Sequence, residues 1–118
     1  MNAPGIEINV LMDAACNNRD IATELMKLFF NLTGQERARL ADAVARYDHA
    51  TASAVAHKVA GSCISCGMSG VSARFKELEH LCKEAMPADI NDRLKIIDTE
   101  LQEARRAMEE YFNCSLAP

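Results

Sequence analysis

The chain reads as an all-α protein, an antiparallel up-and-down four-helix bundle with a short extra helix at its N-terminus. Apolar residues recur at helical spacing in four long stretches, the links between those stretches are short, and no strand-like alternation competes with them. Hydrophobic residues make up 49% of the 118 and aromatic residues 5%, a balance of Leu, Ala, Met and Ile that suits helix packing. That length supports one core without metal or disulfide staples, so residues 1–118 are expected to form one domain, its bundle core about 19–113.

Residues 1 to 5 read as a frayed start. Ile6 to about Cys16 forms the short helix, and Asn17 with Asn18 breaks it. A long helix is predicted from about Arg19 to Tyr47, with a stripe of Ile21, Leu25, Leu28 and Leu32 that resumes at Leu40, Val44 and Tyr47. Thr33-Gly34 is a candidate bend. Asp48 is the N-cap expected for a third helix, which ends near Gly67, a residue suited to the left-handed C-cap conformation. Val71, Phe75, Leu78 and Cys82 form the stripe of the next helix, and Pro87 either stops it or opens the last one. That last helix carries Ile90, Leu94, Ile97, Leu101, Ala104, Met108 and Phe112, and ends near Asn113.

A net charge of −4 argues against a nucleic-acid partner, because affinity for a phosphate backbone rests on a basic surface. No apolar run approaches the roughly 18 residues of a membrane span, and Met1-Asn2-Ala3-Pro4-Gly5 lacks the basic start of a secretion signal. A cytoplasmic location is expected. Five cysteines cannot all pair within one chain, and the odd count and helical setting read as reduced core thiols of a cytosolic protein. Met1 and the short tail Ser115-Leu116-Ala117-Pro118 read as the bounds of a whole protein rather than an excised module.

The residues from His57 to Gly67 carry the functional signal. At about 100° per residue, Val55, Val59, Ser62 and Cys66 fall within roughly 60° of one another and form the stripe expected to face the core. His57 lies about 200° round from Val55, near Ser53, Ala60, Gly61 and Ile64. Its imidazole is therefore expected in solvent. Ser53, Ala60 and Gly61 are small, which leaves the ring open to another protein's surface. Glycine inside a helix costs about 1 kcal/mol relative to alanine, so Gly61 suggests that a side chain there would obstruct something. Ile64, roughly 20° from His57, is an apolar residue on that wet face and is read as a docking contact, joined by residues of the first two helices such as Leu11 and Phe29.

From Asp48 to Glu79 the sequence resembles the histidine-containing phosphotransfer (HPt) domains of phosphorelays, through Ala56-His57, Gly61-Ser62, Gly67 and Leu78-Glu79. The resemblance implies that His57 is phosphorylated on Nε2. It implies as partners the receiver domains of response regulators and a hybrid histidine kinase, with Mg²⁺ on the receiver and no cofactor held by this chain. The family usually has a lysine three residues after the histidine, where this chain has Ala60; Lys58 is the nearest positive charge. Lys58, Gly61 and Glu79 are the supporting residues, and Ser53, Ala60 and Ile64 the partner-binding ones. Phosphoryl transfer needs positioning and charge stabilisation more than covalent machinery, which suits so sparse a site. Glu79, about 80° off its helix's apolar stripe, is expected to accept a hydrogen bond from Nδ1–H and so favour the tautomer with a free Nε2.

Other readings compete. Cys63-x-x-Cys66 with His57 nearby suits zinc, but both cysteines lie toward the core stripe and His57 faces away from it, so no metal site is expected. Ser62, on the buried stripe, is expected to bond back to its own helix. His49 and His80 lack the glycine-serine context and read as ordinary surface residues. No glycine-rich nucleotide loop is present, so no kinase activity of its own is expected. A monomeric phosphotransfer protein is the first reading, and an unphosphorylated adaptor that binds a receiver or kinase through the same face is the alternative.

Overall fold

A computed structural model describes residues 5–116 of the chain. The expected fraying of the first residues, and the end of the tail at Ala117 and Pro118, lie largely outside them. The described residues hold five helices and no strand: α1 (Ile8–Ala14), α2 (Arg19–Ala45), α3 (His49–Ser65), α4 (Ser69–Leu81) and α5 (Ile90–Phe112). Around the core α2 packs on α3, α3 on α4, α4 on α5 and α5 back on α2, while α1 covers part of α2 and α3. The result is a helical bundle.

Local chemistry sets the helix ends. The Asn18 side chain accepts from the backbone N–H of Asp20 and Ile21 and starts α2. Asp48 starts α3 in the same way, accepting from the Thr51 N–H at 3.1 Å and its hydroxyl at 2.6 Å. These bonds, the hydroxyl's first, hold the Asp48 carboxyl below its ordinary range. At the other end of α3 the chain turns through Gly67 with φ at +78°. The N–H of Gly67 bonds to the Ile64 carbonyl and that of Met68 to the Cys63 carbonyl, which closes the helix with a Schellman turn. A Cβ on Gly67 would collide with the Glu7 carbonyl. The close approach is used: the Glu7 N–H donates to the Gly67 carbonyl at 2.6 Å, docking the start of α1 onto the end of α3.

The α4 stripe of Val71, Phe75, Leu78 and Cys82 is buried as expected, and so is that of α5 apart from half-buried Leu101. Burying a side chain such as Phe75 or Leu78 contributes roughly 2 kcal/mol. Two stripes differ from the reading. In α2 the buried residues are Ala22, Met26, Phe29, Thr33, Leu40 and Ala43: the first four lie one position on from the expected Ile21, Leu25, Leu28 and Leu32, Leu40 is buried as expected, and Ile21, Leu28, Leu32 and Tyr47 are exposed. Two apolar diagonals run side by side on this helix, and the core takes the one with Met26 and Phe29. In α3, buried on two sides, the inner face is Ala52, Val55, Ala56, Val59, Ala60 and Cys63. Ser62 is exposed rather than buried, although its hydroxyl does bond back to the Lys58 carbonyl.

Ala52, Ala56 and Ala60 recur every four residues, all buried, and their methyl groups let α3 approach α4 closely. Ser72 donates to the Ala60 carbonyl at 2.9 Å and Ser53 to the Glu79 carbonyl at 2.9 Å, two bonds that pin this seam. Thr33-Gly34 does not interrupt α2, which runs through both residues. Pro87 does not stop α4, which ends at Leu81; it lies in the link to α5, where its carbonyl accepts from the Ile90 N–H. Among the described residues no helix is long and apolar enough to cross a membrane.

Candidate functional site

His57 stands near the middle of α3 with 76% of its side chain exposed. Its Nδ1 lies 3.1 Å from Oε1 of Glu79, which reaches across from α4. An ionised carboxylate only accepts hydrogen bonds, so Nδ1 carries a hydrogen, and in the neutral ring Nε2 then keeps its lone pair. Among the described residues nothing bonds to Nε2. The Ser53 hydroxyl on the Glu79 carbonyl fixes this turn of α4 opposite the ring. Thus the bundle supplies an imidazole held at one nitrogen and open at the other.

Lys58 is exposed but not free. Its ammonium sits 2.8 Å from Oε1 of Glu36 on α2, and Arg39 bonds Oε2 of the same carboxylate at 3.0 Å. Glu36 is held below the ordinary carboxyl range, first by its hydrogen bond from Lys58 and further by the charge of Arg39, against an opposing push from burial. A Cβ built on Gly61 meets nothing within 4 Å, so the expected obstruction is not found among the described residues. Ile64 is exposed as expected and Ser53 half-buried.

Three expected contact residues are placed otherwise. Ala60 is 2% exposed, turned into the seam with α4, because α3 is covered by a neighbour on that side too. It offers no side chain to a partner. Leu11 and Phe29 are core residues. In their place Leu28 and Leu32 line an open groove of about 550 Å³ between α2 and α3, with Val59, Gly61, Glu36 and Lys58 on its other sides. The spacing of Leu28, Leu32 and Glu36, one helical turn apart, is the signal that would have found it. His49 is also not an ordinary surface residue: it is half-buried, with Nδ1 2.9 Å from the Cys82 carbonyl. His80 is exposed.

Cys63 and Cys66 lie at the C-terminal end of α3. Cys63 is fully buried, and desolvation, with a smaller contribution from Cys66, pushes its thiol up to about 12. Burial raises Cys66 and Cys82 as well. Among the described residues no three His, Cys, Asp or Glu side chains gather as a metal ion would need.

An exposed histidine on a bundle helix, tethered at Nδ1 and flanked by glycine and serine, is the arrangement of a histidine phosphotransfer module. The profile of the Hpt domain matches residues 24–107, more than half of the chain, and the chain belongs to that family. No curated protein and no solved structure matches it. At the level of the family, Hpt domains carry histidine phosphotransfer in phosphorelay signalling and interact with receiver domains and kinases.

Proposed function

We propose that this chain is one HPt domain over residues 1–118, a monomeric cytoplasmic carrier in a multistep two-component phosphorelay. It takes a phosphoryl group from one receiver aspartate and passes it to another through His57. The observation that carries this reading is the exposed ring with Nδ1 bonded to Glu79. The lone pair of Nε2 attacks the phosphorus of an aspartyl phosphate, the P–N bond forms, and the P–O bond breaks with its electron pair returning to the aspartate carboxylate. The hydrogen stays on Nδ1, and the positive charge gained by the ring is met by Glu79. The second transfer is the reverse, onto another receiver. Mg²⁺ belongs to the receiver in this scheme and would supply charge neutralisation at the phosphoryl oxygens there.

An antiparallel up-and-down order of α2 to α5 fits the closed ring of helix contacts and the short links. Exposed Leu28, Leu32 and Ile64 beside an open Gly61 suit the docking of a receiver next to the ring. Incubation with phosphorylated receiver domains tests the proposal. The expected result is an acid-labile phosphate on the protein that is absent from His57→Gln. Tight binding without any phosphate uptake would instead identify an adaptor, the reading that the missing lysine at position 60 favours.

A further inference from the structure

The ion pair between Lys58 and Glu36 links α3 to α2 where both residues line an open groove. Its position beside His57 suggests another use. Resting on the reading of His57 as a phosphoryl carrier, we propose that Glu36 is a positioning residue that parks Lys58 on α2 and yields it to the phosphoryl group, while Arg39 stays behind on the carboxylate.

Three observations carry this. Lys58 follows His57 directly, about 3.8 Å away along the backbone, and its side chain is 64% exposed, so its long stem can sweep toward the ring. Glu36, with a side chain only 13% exposed, would be left poorly compensated by the loss of a sole partner; it has two, and Arg39 touches both of its oxygens, at 3.0 and 3.3 Å. The lysine can therefore leave without stranding a charge. Finally, a phosphoryl group brings roughly two negative charges, against a single carboxylate already shared with Arg39. The pair is open to solvent on the lysine side, and the phosphoryl group offers that lysine the larger and unshared negative charge.

The exchange breaks and makes only charge-assisted hydrogen bonds. Its consequence reaches the docking surface: Lys58 and Glu36 both line the α2–α3 groove, so the loaded and unloaded proteins present different rims to a receiver.

The test loads the full chain with phosphoramidate, which phosphorylates histidine without any receiver. The phosphoryl group on His57 is followed by ³¹P NMR and the Lys58 ammonium by ¹⁵N NMR. The charged groups to be considered are Glu79 from α4, which touches the ring, Lys58 on the same helix, and Glu36 and Arg39 from α2, which contact Lys58 and each other. Loading is expected to shift the Lys58 signal. Lys58→Gln should raise the phosphoryl titration midpoint by about half a unit, Lys58→Arg should restore it, and Glu36→Gln should lower it below wild type. A midpoint unchanged in Lys58→Gln, with a Lys58 signal that does not move on loading, overturns the inference. Because the reagent needs no receiver, a chain that exchanges phosphate with receivers yet fails this titration keeps the proposed function and loses only the exchange of Lys58.

Discussion

Helix α3 carries two histidines whose surroundings differ in a way that explains why one suits chemistry and the other does not. At its first turn His49 is half-buried, and its Nδ1 meets a neutral backbone carbonyl from Cys82. Two turns on, His57 is exposed, and its Nδ1 meets the carboxylate of Glu79. Both rings are tethered at the same nitrogen. A carbonyl orients a ring, whereas a carboxylate also stabilises the positive charge a ring acquires on phosphorylation, and only the exposed ring leaves room for a second protein. Helix position thus lets one histidine join α3 to the end of α4 and leaves the other open for the transfer proposed above.

The contrast breaks most sharply at the ring itself. His57→Gln is expected to abolish acid-labile phosphate entirely, while His49→Gln accepts phosphate from the same receiver at the wild-type rate; equal labelling of His57→Gln and wild type would reverse the assignment. Removing the carboxylate makes the two histidines more alike. Glu79→Ala should slow transfer about tenfold, since a hydrogen bond to a charged group is worth ~1.5–3 kcal/mol and this one is exposed, and nitrogen NMR should show the ring's tautomers mixing.

The docking face separates access from chemistry. Leu28→Asp or Ile64→Asp should weaken receiver binding about tenfold, roughly 1.4 kcal/mol, and leave phosphoramidate labelling of His57 unchanged. At the structural end, His49→Gln should cost ~1 kcal/mol in urea unfolding through the lost bond to Cys82. The smallest effect lies in acid. Glu36 is held below its usual range, so it adds stability above that range and loses it as pH falls through its folded value. Melting temperatures measured from pH 7 to 3 should therefore fall less steeply for Glu36→Gln than for wild type.

Much of this was legible in the chain. The α5 ladder from Ile90 to Phe112 and the α4 stripe around Phe75 each carry a single apolar diagonal, and such a pattern admits one buried face. The outward placement of His57 and its partnership with Glu79 followed from wheel geometry. In α2, by contrast, Ile21, Leu25, Leu28 and Leu32 compete with Ala22, Met26, Phe29 and Thr33, and only packing decides between them. Ala60 went astray for a related reason: a lone methyl group gives no periodic signal, so its burial depends on how near α4 comes. His49 escaped notice because its partner is a main-chain carbonyl 33 positions away, and no pattern of side chains records that.

The row of Ala52, Ala56 and Ala60 works as a spacer one methyl group thick. Widening it would part α3 from α4 and draw Glu79 off the ring, so the proposed exchange is expected to slow on changes at residues that touch neither phosphate nor receiver. For an engineer building synthetic signalling circuits, Ala56→Val would act as an attenuator.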